Sequence, residues 1–249
     1  MLTKEHWIHF NSISSTNQYL LESQLPHGTI ITADTQTAGR GRYSRKWYDI
    51  PGSTFIFSIV LYYKEISHIQ YLSLIVALAV IEAIYKMLKD IDLDDKQLFI
   101  KWPNDILLLR NNHIGKLAGI LIETVYNYQQ WKVVIGIGLN WKKTPLIEKK
   151  EIYKFAPISL FDENFDKKPI FFLDYLLEKL NEFSIEKPFD FLSYRDLIIK
   201  YHFLKNKKIK IGGEEYIIQQ IDNNGYLQLQ NKNNQIITIN DWNEEIEIL

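Results

Sequence analysis

Residues 71–88 form the most apolar stretch of the chain, and they set the first limit on its fold. The segment reads as a long helix over residues 69–88, yet Ser73, Glu82 and Lys86 interrupt it. A membrane span is read from ~18 or more residues with few or no charges, so this helix is expected inside a protein core. The 249 residues allow one large core, or a core with a small appendage. Hydrophobic residues at 46% and charged residues at 24% argue against disorder. A net charge of −1 gives no global basic field of the kind non-specific nucleic-acid binding needs. The absence of cysteine excludes disulfides, thiolate nucleophiles and Cys-ligated zinc, and it fits a reducing cytosol. No apolar signal-peptide core follows Met1. A cytoplasmic protein without membrane association is expected.

Ser15-Thr16-Asn17-Gln18 reads as a helix start, with Ser15 as cap and Gln18 completing a capping box. Residues 29–33 read as a short strand and residues 55–62 as a longer one. Between them, residues 34–53 form a long loop with three glycines and one proline. Residues 99–102, 105–109, 117–123 and 132–137 read as four strands, with a turn at Asn111-Asn112. Residues 169–183 and 188–203 read as helices with proline near the first turn. The charged run Lys205-Asn206-Lys207-Lys208 marks a boundary, dividing the chain into domains 1–204 and 205–249. The tail holds short strands at 208–211, 216–221, 226–230, 236–239 and 245–248, and Asn224-Gly225 is a hairpin signal. It is expected to form a small SH3-like β-barrel with Ile209, Ile211, Ile217, Leu227 and Ile237 in its core.

Arginine use is uneven. Of 29 basic residues only five are arginines, and Arg40, Arg42 and Arg45 lie within six positions of one another. Arginine offers a planar fork of donors suited to carboxylate and phosphate. Here it sits among Gly39 and Gly41, which permit close backbone approach to a ligand, and Trp47 adds a flat face for a ring. The alternative is a solvated surface loop. Neither G-x-G-x-x-G nor a Walker A pattern is present, so Rossmann and P-loop sites are unsupported. Lys101-Trp102-Pro103-Asn104-Asp105 places aromatic, amide and carboxylate at a strand end, although Pro-Asn-Asp is also ordinary turn chemistry. Lys116, within Gly115-Lys116-Leu117-Ala118-Gly119-Ile120-Leu121, would project from the start of an apolar strand, functional or merely solvated. Gly136-Ile137-Gly138-Leu139-Asn140 ends a buried strand with small residues, a pattern that suggests close approach by another backbone or a ligand.

In this order and spacing, Ser15-Thr16-Asn17, Gly39-Arg40-Gly41-Arg42 with Trp47, Lys101 to Asp105, Gly115 to Leu121 and Gly136 to Asn140 resemble the biotin–protein ligase family. The resemblance covers the whole chain. It departs at Tyr43, where a basic residue is common, and at Ser44, often glycine. Only 14 residues precede Ser15, so the winged helix-turn-helix of the best-known members is missing and no specific DNA binding is expected.

The resemblance implies an α+β fold: a class II aminoacyl-tRNA synthetase-like mixed sheet backed by helices, followed by the SH3-like tail. It implies ATP-dependent activation of biotin as biotinoyl-AMP and transfer to a lysine of a biotin carboxyl carrier domain, by a monomer or homodimer. Lys116, Arg40 and Asp105 would be catalytic. Biotin would be bound by Ser15, Thr16, Asn17, Gln36, Arg40, Gly41, Arg42, Lys116 and Gly119. ATP would be bound by Arg40, Arg42, Arg45, Trp47, Asn104, Lys116 and Asn140, with Mg2+ whose ligands are unassigned. The loop 39–47 would be mobile until an anion relieves repulsion among its arginines. Alternatives are a lipoate or octanoate ligase or transferase, and a non-catalytic biotin sensor. The first is disfavoured by the lack of a triple-glycine loop, and its thioester-forming version by the lack of cysteine. The second needs a DNA-binding element that is not found.

Overall fold

The computed structural model describes residues 1–66, 69–93, 96–145, 155–185, 191–242 and 246–249. Seven strands form one mixed sheet: β1 (Trp7–Phe10), β2 (Ile30–Ala33), β3 (Thr54–Tyr63), β4 (Gln97–Lys101), β5 (Asp105–Arg110), β6 (His113–Asn127) and β7 (Gln130–Asn140). Their order is β1-β2-β3-β7-β6-β5-β4. β1 and β2 run parallel, and the other neighbours are antiparallel. The expected α+β class holds. β1 was not foreseen, because four residues at a sheet edge are too few to show an alternating pattern.

β3 pairs with β7 over its whole length, from Thr54 opposite Asn140 to Tyr63 opposite Trp131. Side chains alternate across a strand, so this ladder serves two cores. Phe55, Phe57, Ile59 and Leu61 join Val133, Ile135, Ile137 and Leu139 in the larger core. There the sheet meets α2 (Leu72–Asp90) and α4 (Phe191–Tyr201), and α3 (Leu173–Glu182) packs on α2. Every α2 residue from Leu74 to Ile81 is buried, as the apolar segment required. On the other face, Val60 and Val134 pack with Ile31 and with Leu20 of α1 (Thr16–Glu22). Ser58, Gly136, Gly138 and Asn140 fall on that second face by the same alternation.

Ser15 caps α1, its Oγ accepting from the Gln18 N–H at 3.4 Å. The reciprocal half of the capping box is replaced, because the Gln18 amide donates to Glu22, one turn further along the same helix face. Asn111 and Asn112, with φ of 52° and 60°, join β5 to β6 as expected. The helix expected from residue 188 and the strand expected from residue 245 begin outside the described residues. Their remainders are α4 and β12 (Ile246–Ile248).

The tail forms a second sheet from β8 (Lys208–Ile211), β9 (Glu214–Ile221), β10 (Leu227–Asn231), β11 (Ile236–Ile239) and β12. Its order, β11-β10-β9-β8-β12, leaves β11 and β12 as edges, so the strand pairing gives an open sheet and does not close the expected barrel. The tight turn is Gly212-Gly213 between β8 and β9, with φ of 57° and 91°. Asn224-Gly225 lies in a wider turn, where the Asp222 carboxylate accepts from the N–H groups of Asn224 and Tyr226. Ile217 is 40% exposed, and Ile218 takes the core position expected of it. β9 and β10 shift register at Gln228/Leu229.

No apolar gap separates the two sheets. Ile209, Ile218, Leu227 and Leu229 belong to the larger core, and Leu204 at the expected boundary is fully buried. The Trp102 indole donates to the Gly225 carbonyl at 2.9 Å, and Arg195 of α4 donates to the Ile221 carbonyl at 3.0 Å.

Candidate active site

The second face of the sheet opens into a cleft of about 1020 Å³. Its floor follows from the β7 alternation. Ile137 and Leu139 point into the core, while Gly136, Gly138 and Asn140 face the cleft. Across the sheet, Ser58 lies opposite Gly136 and Gly119 lies opposite Gly138. Each glycine admits a neighbour. A Cβ on Gly136 would lie 2.3 Å from Asn17 Oδ1, and one on Gly138 would lie 2.4 Å from the Trp47 indole.

One end of the cleft is polar and neutral. Gln36 Oε1 accepts from the Thr16 N–H at 2.8 Å and lies 3.1 Å from Thr16 Oγ1. Ser58 Oγ is 2.7 Å from Thr16 Oγ1 and 2.6 Å from Asn17 Oδ1. The Asn17 amide nitrogen donates to Glu123 at 2.9 Å and to the Leu121 carbonyl at 3.3 Å. Asp49 accepts from the Thr35 hydroxyl at 2.7 Å and from the Gln36 N–H, which anchors the start of the arginine loop to its end. Burial raises the Asp49 carboxyl above its ordinary pKa against these hydrogen bonds and nearby Lys46.

The other end is cationic. Lys116 Nζ is 2.7 Å from Asp105 Oδ1, and Lys101 Nζ is 3.5 Å from Asp105 Oδ2. Burial pushes the Asp105 carboxyl up, but the two ammonium groups outweigh it and hold the pKa below the usual carboxylate value. Burial lowers the Lys101 ammonium. Arg42 pairs with Asp241 of the tail and also reaches Asn104 at 3.3 Å. Arg40 stands between the two ends: it pairs at 2.9 Å with Glu123 Oε2, the same oxygen that accepts from Asn17, and that pair carries no net charge.

A β-bulge places Lys116 here. Ile106 pairs with Ala118 and Leu107 with Lys116, so Leu117 is the extra residue. Leu117 and Ala118 both enter the core, and Lys116 is turned to the cleft beside Gly119. Re-aiming a side chain is what bulges beside functional sites commonly do. The backbone of Lys116 is also held by residues 156–158, through hydrogen bonds of 2.8 and 3.0 Å. Gly115 permits that approach, since a Cβ there would sit 2.7 Å from the Ala156 carbonyl oxygen.

The arginine loop folds over the floor. Gly41 N–H donates to the Arg45 carbonyl at 2.7 Å and Trp47 N–H to the Gly39 carbonyl at 3.0 Å. Tyr43 and Ser44 take φ of 56° and 59°, a region costly for non-glycine residues. This explains why glycine suits position 44. Trp47 lies against Gly119 and Gly138, with Lys116 Nζ 5.8 Å from its ring centre. The expected repulsion among the arginines is offset for two of them, because Arg40 and Arg42 each have a separate carboxylate partner.

The structure gathers the expected residues into this one cleft. Ser15, Thr16, Asn17, Gln36, Arg40, Gly41, Arg42, Arg45, Trp47, Asn104, Asp105, Lys116, Gly119 and Asn140 all line it. Ser58, Lys101 and Trp242 also line it and were not foreseen in that role. Lys101 had a signal, as the first residue of a motif already singled out. Ser58 and Trp242 had none. Trp102 of the same motif points away, into the core.

Residues 9–140 match the sequence pattern of the biotin/lipoate A/B protein ligase family. The chain belongs to that family. It is 36% identical to the bifunctional ligase/repressor BirA of Bacillus subtilis over 146 residues, which are 57% of this chain and 42% of that protein. It is 26% identical to human biotin–protein ligase over 262 aligned positions, covering 96% of this chain and 34% of the human protein. The matched region thus spans well under half the length of these relatives. In fold, the chain is similar to the biotin protein ligase of Aquifex aeolicus solved with biotin and ATP. The TM-score is 0.76 at 24% identity, covering 98% of this chain and 99% of that one. Among the described residues no helix is long and apolar enough to cross a membrane.

Proposed function

We propose that the chain is an ATP-dependent biotin–protein ligase. The observation that carries this reading is the division of one cleft into a neutral hydrogen-bonding end and a cationic end. A bicyclic urea with a carboxylate tail has the same two-ended chemistry. Ser15, Thr16, Asn17 and Gln36 would take the ureido ring. Lys116, Arg40 and Arg42 would take the carboxylate and the α-phosphate.

In the first step a carboxylate oxygen attacks the α-phosphorus of ATP and the P–O bond to pyrophosphate breaks. Two anions must approach, so fixed cations lower the barrier. Lys116 and Arg40, both within ion-pair distance of protein carboxylates, would exchange those partners for substrate oxygens. In the second step a lysine amine attacks the acyl carbon, AMP leaves, and the amine loses a proton. Asp105, kept ionised by Lys116 and Lys101, would orient the incoming lysine or the cations around it. Arg45, Trp47, Asn104 and Asn140 would hold the nucleotide. Asn140 Oδ1 is buried without a hydrogen-bond partner, which suits an acceptor reserved for a ligand donor.

Magnesium would arrive with the ATP phosphates. Among the described residues no three metal-ligating side chains cluster, so the phosphates themselves would supply much of its shell. The acceptor would be a biotin carboxyl carrier domain, met in the cytoplasm by a monomer or homodimer. Residues 205–249, packed on the rest of the chain through the shared core, would assist nucleotide or acceptor binding. Trp242 and Ile246 in the cleft lining support that role.

A lipoate or octanoate ligase is the second reading, favoured by the shared family alone. Pyrophosphate release with ATP and a carrier domain separates the two. Biotin should support turnover and lipoate should not. Turnover with lipoate alone would replace this proposal.

A further inference from the structure

Ser58 is fully buried in the middle of β3, and it touches two of the residues assigned to the ureido ring. Hydrogen counting fixes which way its hydroxyl points. Both amide hydrogens of Asn17 are directed elsewhere, to Glu123 and to the Leu121 carbonyl. Asn17 Oδ1 can therefore only accept, and its neighbour at 2.6 Å is Ser58 Oγ. A serine has one hydroxyl hydrogen. Once it goes to Asn17, the 2.7 Å contact to Thr16 needs the Thr16 hydroxyl to donate. The competing acceptor for that hydrogen, Gln36 Oε1, is farther away at 3.1 Å and already receives the Thr16 N–H. Thr16 Oγ1 is left with lone pairs and no hydrogen for the cleft.

We propose that Ser58 is a positioning residue that makes Thr16 an obligate acceptor and so selects ligands carrying a ring N–H. This rests on the biotin reading above and deepens it. A urea presents two N–H donors. A dithiolane or an alkyl chain presents none, and would leave the Thr16 oxygen desolvated and unpaired. Sites built around a ligand N–H reject analogues that lack it far more strongly than apolar pockets reject a missing methylene. Gly136 completes the device, because any Cβ there would displace the Asn17 oxygen that fixes Ser58.

The test is calorimetric binding of biotin and its two cyclic carbamate analogues, in each of which one ring N–H is replaced by oxygen. The full chain is used, as wild type and as Ser58→Ala. In wild type, one carbamate should bind roughly 10–100-fold more weakly than biotin, since it sets an oxygen against an acceptor. In Ser58→Ala the Thr16 hydroxyl loses its nearer acceptor and keeps only the longer 3.1 Å contact to Gln36 Oε1, so it can turn from that weaker partner and donate to a ligand oxygen. That same ratio should fall to about threefold or less, whatever the change in biotin affinity itself. A purely structural role would weaken all three ligands together and leave the ratio intact. Ser58→Cys, a weak donor of similar shape, serves if the alanine variant does not fold, and should also reduce the ratio. Ser58→Thr, which keeps the hydroxyl, should preserve it. An unchanged ratio in the alanine or cysteine variant overturns this inference and leaves the biotin reading standing. Wild type binding both carbamates as tightly as biotin does the same. Wild type binding no biotin at all overturns both.

Discussion

Arg42 and Asp241 stand 199 residues apart in the chain, yet their side chains form an ion pair at the cleft. The pair joins the arginine loop to the segment that follows β11 in the tail. Both side chains are about one-third exposed, so the pair contributes only ~0–1 kcal/mol to stability. Its weight falls on the loop, whose further ties run through Arg40 to Glu123 and Trp47 to the glycine floor. Asp241→Asn should therefore leave the urea midpoint nearly unchanged while speeding amide exchange across residues 41–46. Equal exchange in both proteins would confine the pair to surface decoration.

Lys116→Gln removes the charge nearest Asp105. The loss of one charge-stabilising donor typically costs ~10²–10³ in rate, and biotin-dependent pyrophosphate exchange should fall by that order. The fold should persist, because Lys116 is held through its backbone on both sides. The Asp105 carboxyl should move up in the variant. A carboxylate whose folded pKa lies below its unfolded value stabilises the protein above the unfolded pKa, about 4, and loses that contribution as pH falls through the folded value. Acid unfolding should begin at higher pH in Lys116→Gln than in wild type. Unaltered exchange rates would return Lys116 to the ordinary strand-end class.

Gly138→Ala puts a methyl group within 2.4–2.8 Å of the Trp47 indole. Neither β7 nor the adjacent strands can yield, so the ring should move. The cost should be ~1–3 kcal/mol, typical of overpacking. Nucleotide affinity should drop more than biotin affinity, since Trp47 is assigned to the adenine. A stable Gly138→Ala with unchanged tryptophan emission would show that the ring has another seat.

His202 offers a pH prediction away from the cleft. Burial, with a smaller effect of Lys205, lowers its pKa from 6.5 to about 4, and its Nε2 has no hydrogen-bond partner. The folded protein therefore holds His202 neutral where the unfolded chain would protonate it. The neutral form gives full stability above pH 6.5, and the contribution is lost as pH falls from there through about 4, amounting to ~3 kcal/mol. His202→Leu should flatten that part of the stability profile. Parallel profiles for the two proteins between pH 7 and 4.5 would refute the assignment.

Much of the cleft was legible from residue types in order, and the reasons it was not wholly so are local. Gly136, Gly138 and Asn140 alternate in step with the strand, so their shared face can be read directly. Lys116 cannot be placed that way. Strict alternation groups it with Ala118 and Ile120, which point into the core, and only the bulge at Leu117 separates them. Ser58 is a single serine within the run Phe55 to Leu61, whose other members are all apolar, and its partners Thr16 and Asn17 lie about 40 residues earlier. The tail strands were readable from their turns. Their failure to close was not, because closure depends on whether β11 and β12 meet, and neither strand encodes its partner.

Trp102 ties the modularity of this protein to its chemistry. It sits between Lys101 and the Asn104-Asp105 pair, and it hands its indole hydrogen to a backbone carbonyl of the tail while its neighbours face the cleft. A five-residue motif thus faces the cleft on one side and the tail on the other. A chimera that grafts the tail of another family member would have to present a carbonyl at the position of Gly225, with a glycine there to clear Tyr71. Without both, the graft would tilt the strand end that carries Asp105. Exchange of the tail between relatives is therefore constrained from inside the cleft, however freely the surface of that tail varies.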